Sequence, residues 1–322
     1  MKFTTIPNAF ASWNESLLYT LHTESEEPQD ATVEVYDAAT NTLVGTKFLR
    51  AITSATFDIA PMLRRRMQIT LPEVVTTTRP MGYNASAEIY LKVGELTSEH
   101  RIFVAAQLTS NTPCVVLSEQ IDSRPLAPDE CDMVGFVTTF SGCYARIRTY
   151  GKDSTTRNIT FGSPGQYILT ILPLTLGDCD QIEVEFCYST TVFRKIEYSV
   201  KRNLKGARRI GWLNKDYAPE IYTFPMRKSI LIKATRKHME SSIGRGAGEV
   251  EADGELKLIS AYEPSAQLTA LAKIVGSPAV WLMEGARRRN VDLITDRVIL
   301  TPSDTLGFVE IDIRGAREGE EL

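Results

Sequence analysis

The chain has 322 residues, of which 43% are hydrophobic and 24% are charged, and its formal net charge is −4. This length favours two or three domains, because a domain usually has about 100 to 200 residues. The composition is that of a globular protein and excludes collagen, coiled coil and extended disorder. Dedicated nucleic-acid binders usually carry a clear basic excess, so nucleic acid is not expected as a partner.

The apolar runs of the chain are short. One of the longest, residues 167–176, is interrupted by Pro173 and falls short of the roughly 20 residues that span a bilayer. No membrane span is therefore predicted. The N-terminal sequence lacks the continuous apolar core of a secretory signal. We expect the protein to stay in the cell that makes it, unless it leaves as part of a particle.

The cysteines form no C-x-x-C pair, and their number is odd. In a chain without a secretory signal, this favours reduced thiols that act as small core residues. The five are Cys114, Cys131, Cys143, Cys179 and Cys187.

Residues 1–110 are predicted to form a β-sandwich domain of immunoglobulin-like type. Apolar residues recur at every second position, as in 31–36, where Val33 and Val35 face one way. The turn formers that follow predict a hairpin. Residues 86–93 repeat the alternation, and helical periodicity is almost absent.

Residues 111–204 are predicted to form a second β-sandwich domain. The Pro- and Asp-rich stretch 118–132 suggests a linker or a long loop. Alternating strands then return at 144–150, 182–187 and 196–200. Two sandwiches in tandem are common in surface and assembly proteins.

Residues 205–322 are predicted to form an α+β domain with an antiparallel sheet and one flanking helix. The helix is expected over Pro264–Val275, since apolar residues recur there at three- and four-residue spacing and Ser277-Pro278 ends it. Strands are expected on both sides of it, with a charged turn at 284–290. The expected strands are 221–224, 229–234, 255–262, 279–283, 291–294, 298–300 and 307–313.

The run 237–254 is polar and rich in glycine, so we expect an exposed hairpin tip or flexible loop. In an assembly, this segment is a candidate to become ordered against a neighbour. Basic clusters at 64–66, 201–209 and 287–289 and an acidic C-terminal sequence suit docking between protein subunits. For any single run, a solvated loop is the more frequent interpretation.

The sequence shows no coherent catalytic group. His22, His100 and His238 are far apart and have no metal-binding spacing. Gly162-Ser163-Pro164-Gly165 lacks the order of a nucleophile elbow and is interpreted as a turn. The glycines at 244–248 precede neither a helix nor a Lys-Ser/Thr pair, which argues against a phosphate loop. No catalytic, cofactor-binding or metal-binding residue is therefore assigned.

Other polar and aromatic groups have simpler interpretations. Glu183 and Glu185 belong to the solvent face of a predicted strand, and calcium binding by the nearby Asp178 and Asp180 is a minor alternative. Several tyrosines have rings that could stack on sugars, although strand aromatics more often pack across a sheet. These are Tyr144, Tyr150, Tyr217 and Tyr222.

Two short elements in the last third carry a family resemblance. The first is RRIGWLN at 208–214, followed by Tyr222-Thr223-Phe224, and the second is Leu271-Ala272 followed by SPAVWL at 277–282. With these, the chain resembles structural proteins in tail modules of phages and prophages from Bacteroidetes hosts. The resemblance implies a virion component of the tail tip or baseplate, without catalytic residues to transfer.

The sequence as a whole leads to the hypothesis of a non-enzymatic structural tail protein. It would be assembled in the host cytoplasm, form a homo-oligomeric ring and dock to other tail proteins. Trp212, Tyr222, Phe224 and Trp281 are expected to organise the core of the third domain, and residues 244–254 to reach a neighbour. The alternative is a receptor- or carbohydrate-binding module that reads a surface glycan with its two N-terminal sandwiches. An enzyme built from dispersed carboxylates is the third hypothesis.

Overall fold

A computed structural model describes residues 1–66, 69–108, 112–202, 205–241, 244–300 and 306–317. The fold is mainly β, as predicted, and consists of two β-sandwiches followed by an antiparallel sheet with a helix packed on it. Within the described ranges, no helix is long and apolar enough to cross a bilayer.

The first unit is a sandwich of two sheets. Its elements are β1 (Lys2–Thr5), β2 (Phe10–Ser12), β3 (Leu18–His22), β4 (Gln29–Asp37), β5 (Thr42–Ile52), β6 (Ser54–Asp58), α1 (Ala60–Arg66), β7 (Arg79–Gly82), β8 (Ser86–Val93), β9 (Leu96–Thr97) and β10 (Arg101–Val104). One sheet has the order β1-β3-β6, and the other has the order β2-β10-β8-β4-β5 with β9 beside β8. Tyr19 and Phe57 of the first sheet and Phe103 of the second share one core.

The predicted hairpin of this unit is confirmed. Strands β4 and β5 pair antiparallel, and Val33 and Val35 are fully buried, because alternate residues of a half-buried strand face the core. Helix α1 was missed. It has only seven residues, and its last three are arginines, so the sequence contains no repeating apolar stripe.

The second unit is also a sandwich. Its elements are β11 (Cys114–Val116), β12 (Ser123–Leu126), β13 (Asp132–Thr138), β14 (Cys143–Tyr150), β15 (Thr156–Thr160), β16 (Gly165–Ile171), a 3₁₀ turn (Pro173–Thr175), β17 (Gln181–Tyr188) and β18 (Thr191–Val200). The sheets have the orders β11-β13-β16-β7 and β12-β18-β17-β14-β15. Strand β7 precedes β8 in the chain but belongs to a sheet of the second sandwich. The predicted domain boundaries at 110 and 204 stay predictions.

The stretch 118–132, expected to be a linker or a long loop, is largely irregular but packs against the second sandwich. Strand β12 lies inside it and pairs parallel with β18. The side chains of Arg124 and Asp132 are 7% and 1% exposed. Charged residues are rarely buried unless they are paired, so the polar composition of this stretch led to the prediction of an exposed segment.

The third unit contains the longest strands. Its elements are β19 (Arg208–Leu213), β20 (Pro219–Phe224), β21 (Met226–Ser241), β22 (Gly244–Ile259), β23 (Glu263–Pro264), α2 (Ser265–Ala272), a 3₁₀ turn (Lys273–Gly276), β24 (Val280–Glu284), β25 (Arg287–Leu293), β26 (Leu306–Gly307) and β27 (Glu310–Arg317). The main sheet has the order β20-β19-β24-β25-β27-β22-β21, and β23 pairs with β26.

Helix α2 confirms the predicted flanking helix, although its α-helical part ends at Ala272 and a 3₁₀ turn follows. Leu268 and Leu271 are buried in the core, as expected. Two other details were wrong. The segment 287–290 belongs to strand β25 and not to a turn, and residues 298–300 form no strand.

The large aromatic residues of the third unit divide between two cores. Trp212, Tyr222 and Phe224 belong to the core under α2, as predicted. Trp281 instead faces the opposite side of the sheet and packs in a cluster with residues of the second sandwich, including Met133 and Ile168. Trp281 therefore helps to hold the two units together. Its indole lies directly over Gly211, where a β-carbon would overlap with it.

We expect Gly211→Ala to lower the free energy of unfolding by about 1 to 3 kcal/mol, because the added methyl group forces Trp281 out of a close-packed site. Urea unfolding followed by fluorescence measures the change. Gly276→Ala is the matched control, since no atom lies within 4 Å of its β-carbon position. Equal stability of the two variants would contradict this account of Gly211.

Candidate assembly surface

The hairpin of β21 and β22 extends beyond the rest of the sheet. The two strands pair from Met226 with Ile259 to Ser241 with Gly244. In contrast, β27 pairs with β22 only from Asp253 to Ile259. Residues 244–252 of β22 and the facing part of β21 thus form a two-stranded ribbon, which is about 30 Å long at the usual rise per residue. We call this part of the hairpin the ribbon.

The ribbon revises the expectation for residues 237–254. They were expected to be a hairpin tip or flexible loop, yet the strands continue through most of this run. Residues 242–243 lie outside the described ranges. Gly244 has a φ of 124°, a conformation that glycine adopts without strain. The glycines that suggested a loop therefore occur within a strand and at its start.

Strand β21 is an edge of the main sheet. Among the described strands, it pairs with β22 alone, whereas β20, at the other edge, consists mainly of buried residues. Its large apolar side chains are exposed to a degree that is unusual for a strand. The exposed fractions are 54% for Met226, 43% for Ile230, 48% for Leu231 and 64% for Met239. An exposed apolar edge strand is a template for pairing with another chain.

The two strands of the hairpin carry opposite charge. Strand β21 contains five basic residues and one acidic residue. Strand β22 contains four acidic residues, at the alternate positions 249, 251, 253 and 255, and two basic residues. Cross-strand pairs of opposite charge favour the hairpin itself. Within the ribbon itself, the net charge is positive on β21, with Arg236, Lys237 and Glu240, and negative on β22, with Arg245, Glu249 and Glu251.

We call the part of the hairpin beside β27, including residues 253–259 of β22, its root. Ion pairs bind this root to β27. Lys228 contacts Glu310 at 2.9 Å, and Arg314 contacts Glu255 at 2.9 Å. Lys257 lies 3.3 Å from Asp312. These pairs are partly exposed and each contributes little to stability. Their position indicates that the root is fixed to the sheet.

A buried polar network fixes the sheet to the second sandwich. Asp132, at the start of β13, accepts hydrogen bonds from Arg124 at 3.2 Å, from Arg209 at 3.1 Å and from Tyr198 at 2.8 Å. Arg209 belongs to β19 of the third unit, so Asp132 joins the two units. Burial, followed by the charge of Asp132, raises the pKa of Tyr198 well above its ordinary value. The phenol thus stays protonated and acts as a donor.

Glu220 of β20 forms the second half of this network. Its two carboxylate oxygens accept hydrogen bonds from Ser118, from the backbone of Glu119, from Gln120 and from Asn214, at 2.6 to 3.1 Å. Burial raises the pKa of Glu220, while Arg124 and the hydrogen bonds oppose part of that shift. All four donors come from residues outside β20. The carboxylate therefore fastens β20 to two chain segments at once.

The histidines considered as metal ligands lie on different elements. His22 is in β3, His100 precedes β10 and contacts Glu88 at 2.9 Å, and His238 is in the exposed strand β21. Among the described residues, no group of three or more His, Cys, Asp or Glu side chains is placed to hold a metal ion. The structure thus does not bring these histidines together.

The carboxylates of β17 lie on the outer face, as predicted, but they are covered by basic side chains. The side chain of Glu183 is 7% exposed and contacts Lys195 and Arg148, both at 2.5 Å. Glu185 contacts Arg146 at 2.6 Å. Burial would raise the pKa of Glu183, but the hydrogen bonds and charges of Lys195 and Arg148 outweigh it and lower the pKa, which fits an ion-pair layer on this face.

The tyrosines considered for sugar stacking form no shared platform. Tyr222 is 7% exposed and donates a hydrogen bond to Glu263 at 2.7 Å. Tyr217 packs at the edge of two core clusters, and Tyr144 donates to the carbonyl of Ser189. Tyr150 is 42% exposed at the end of β14. Packing across the sheet thus accounts for Tyr222.

All five cysteines are free and buried, as the odd count predicted. Burial raises the pKa of the Cys131 thiol to about 12, so the reactive thiolate is scarce at neutral pH. The cysteines therefore act as small core residues.

No protein-family model and no curated protein matches the sequence. Among solved structures, the crystal structure of Dpr2 Ig1-Ig2 in complex with DIP-Theta Ig1-Ig3 aligns with 98% of this chain and 89% of that chain. The aligned residues are 9% identical, and the TM-score is 0.23. At this score, the alignment bears on neither function nor partners.

Glu220→Gln is expected to destabilise the protein by about 1 to 3 kcal/mol for each donor that loses its acceptor. Glutamine has one acceptor oxygen, so its NH₂ group would face two of the four donors that now contact Glu220. Urea unfolding at neutral pH measures the loss. Glu95→Gln, at an exposed turn, is the matched control. Equal stability of both variants would contradict the network.

The pH dependence of stability provides an independent test of Glu220. Burial raises the pKa of Glu220 in the folded state. At a pH between the usual pKa of glutamate and this raised value, the folded protein therefore retains a proton that the unfolded chain has lost. The contribution of Glu220 to stability is therefore largest below the usual pKa of glutamate and declines as the pH rises through the raised value. The free energy of unfolding of the wild type minus that of Glu220→Gln, measured at several pH values, should show this decline. A difference that grows with pH would contradict it.

Proposed function

We propose that this protein is a non-enzymatic structural subunit that assembles with copies of itself through the edges of the ribbon. The observation that supports this most strongly is the apolar edge strand β21, with Met239 exposed at 64%. A two-stranded hairpin alone is marginally stable in water. A neighbouring strand would pair its open edge and cover its apolar side chains.

The charges of the two strands favour a head-to-tail arrangement of the copies. If two ribbons lie side by side and point the same way, β21 of one copy meets β22 of the next. This contact is antiparallel, as within the hairpin, and brings a basic strand against an acidic one. Pairing β21 with β21 would bring like charges together. Head-to-tail contacts form a ring when the rotation between copies closes.

The buried titratable groups support a structural role. Arg124, Asp132, Arg209 and Glu220 are held by several hydrogen bonds each, and the cavity beside them measures about 30 Å³. This volume is close to that of one water molecule. The network therefore suits a rigid joint between two units more than a reaction centre.

The position within a phage or prophage tail is the most specific part of the proposal. It rests on the resemblance of residues 208–214, 222–224 and 277–282 to tail proteins, which implies a tail tip or baseplate and other tail proteins as partners. A ring built from ribbons would suit an assembly around a tail axis. Electron microscopy of the purified protein tests whether such rings form.

Charge-reversal variants test the head-to-tail contact. One variant changes β21 with Arg236→Glu and Lys237→Glu, and the other changes β22 with Glu249→Lys and Glu251→Lys. We expect the wild type to form a multimer and each variant alone to be monomeric, as measured by size-exclusion chromatography with light scattering. An equal mixture should form a multimer again, because the reversed β21 of one variant is complementary to the reversed β22 of the other, and their unchanged strands are complementary as well.

Several outcomes would reject this proposal. A wild type that stays monomeric at all concentrations excludes self-assembly, and a mixture of the two variants that stays monomeric excludes the head-to-tail contact. Lys152→Glu with Lys215→Glu, two exposed positions away from the hairpin, provides a control with the same change in net charge as the β21 variant. Circular dichroism of each variant shows that the sheet is retained.

A further inference from the structure

A second surface, separate from the ribbon, is an open cleft with three consecutive arginines. It has a volume of about 810 Å³ and lies between the hairpin of β24 and β25 and the segment before β7. The residues that line it are Leu71, Glu73, Glu284, Arg287, Arg288, Arg289 and Asn290. We call it the arginine cleft.

The segment at the wall of the cleft is held in place by backbone hydrogen bonds. The N–H of Arg288 donates to the carbonyl of Glu73 at 2.8 Å, and the N–H of Val75 donates to the carbonyl of Ala286 at 2.9 Å. Val74 and Arg287 form an antiparallel bridge. The cleft is thus bounded by paired backbone on both sides, which gives it a defined shape.

Arg288, in the middle of the cluster, donates its hydrogen bonds to neutral acceptors. It donates to the side-chain oxygen of Asn290 at 3.1 Å and to the carbonyl of Leu71 at 3.3 Å. Its Nε–H has no acceptor, and its guanidinium lies 5.8 Å from the centre of the Trp281 ring. Among the described residues, no carboxylate lies within 4 Å of it. Burial lowers the pKa of Arg288, a shift that a bound anion would oppose.

The outer arginines already contact carboxylates at the rim. Arg289 lies 3.0 Å from Glu284, and Arg287 lies 3.7 Å from Glu73, where both side chains are largely exposed. These pairs show that the geometry of the cleft admits carboxylate groups. Exposed pairs of this kind contribute little and exchange readily with a ligand.

We propose that the arginine cleft binds a carboxylate-rich peptide segment of a partner protein. Guanidinium groups recognise carboxylates through two parallel hydrogen bonds, and three in sequence offer several such sites. Glu73 and Glu284 at the rim disfavour a nucleic-acid backbone, because they would repel a continuous row of phosphates. A peptide can instead place its carboxylates singly, between these two groups.

Binding of a fluorescent peptide that alternates glutamate and glycine to the full chain, measured by anisotropy, tests this inference. We expect saturable binding that weakens about tenfold in Arg287→Glu, since that side chain is exposed and the change reverses one recognising charge. Lys152→Glu, whose side chain is 81% exposed and lies on another unit, makes the same change in net charge and should bind as the wild type does. Glu73→Gln should bind more tightly, because it removes a competing carboxylate.

The opposite results would overturn the inference. They are an absence of saturable binding to the wild type, an equal loss in Lys152→Glu, or tighter binding of an oligothymidine of similar charge. Arg288→Lys keeps the positive charge but loses the planar guanidinium group. It should therefore bind the peptide more weakly than the wild type does, when both proteins are folded to the same extent. Wild-type affinity in Arg288→Lys would contradict the role of the guanidinium.

Discussion

Asp132 is the group on which the placement of the third unit depends. Its carboxylate is 1% exposed and lies between two arginines, Arg124 from the second sandwich and Arg209 from the main sheet. Loss of one partner in such a buried group leaves an uncompensated charge and costs about 3 to 5 kcal/mol. The two units are therefore joined by an interaction that requires a defined geometry, whereas an apolar contact would tolerate sliding.

This joint explains how one part of the main sheet can be rigid while another is exposed. Glu220 and Trp281 fasten β20 and β24 to the second sandwich, and helix α2 covers the core face of the sheet through Leu268 and Leu271. Strand β21, at the far edge, pairs with β22 alone among the described strands. The firmly held side of the sheet thus supports a hairpin whose end contacts no other described strand. Such an arrangement presents one strand edge in a fixed direction.

The sequence predicted the elements whose patterns are local. Strand alternation identified Val33 and Val35 of β4, and the apolar spacing of Leu268 and Leu271, with Ser277-Pro278 after it, identified α2. The sequence did not reveal the joint, because its residues are charged. Charged residues are usually expected at the surface, so Arg124 was placed in a linker or a long loop. Whether a charged residue is buried depends on partners far apart in sequence, such as Arg209 for Asp132. No local pattern carries that information.

Residues 237–254 were expected to form an exposed hairpin tip or a flexible loop, and they form the end of a hairpin whose strands continue through most of the run. Glycines and charges between 237 and 254 suggested a loop, although the acidic residues at 249, 251, 253 and 255 repeat at the strand period of two. This alternation was the signal that the sequence contained. Its meaning was hidden because a strand is normally recognised by apolar residues that face a core, and the ribbon extends beyond the core of its own chain. Under the proposed self-assembly, the surface that covers this strand pattern belongs to another copy of the chain, so a single sequence shows the pattern without its core.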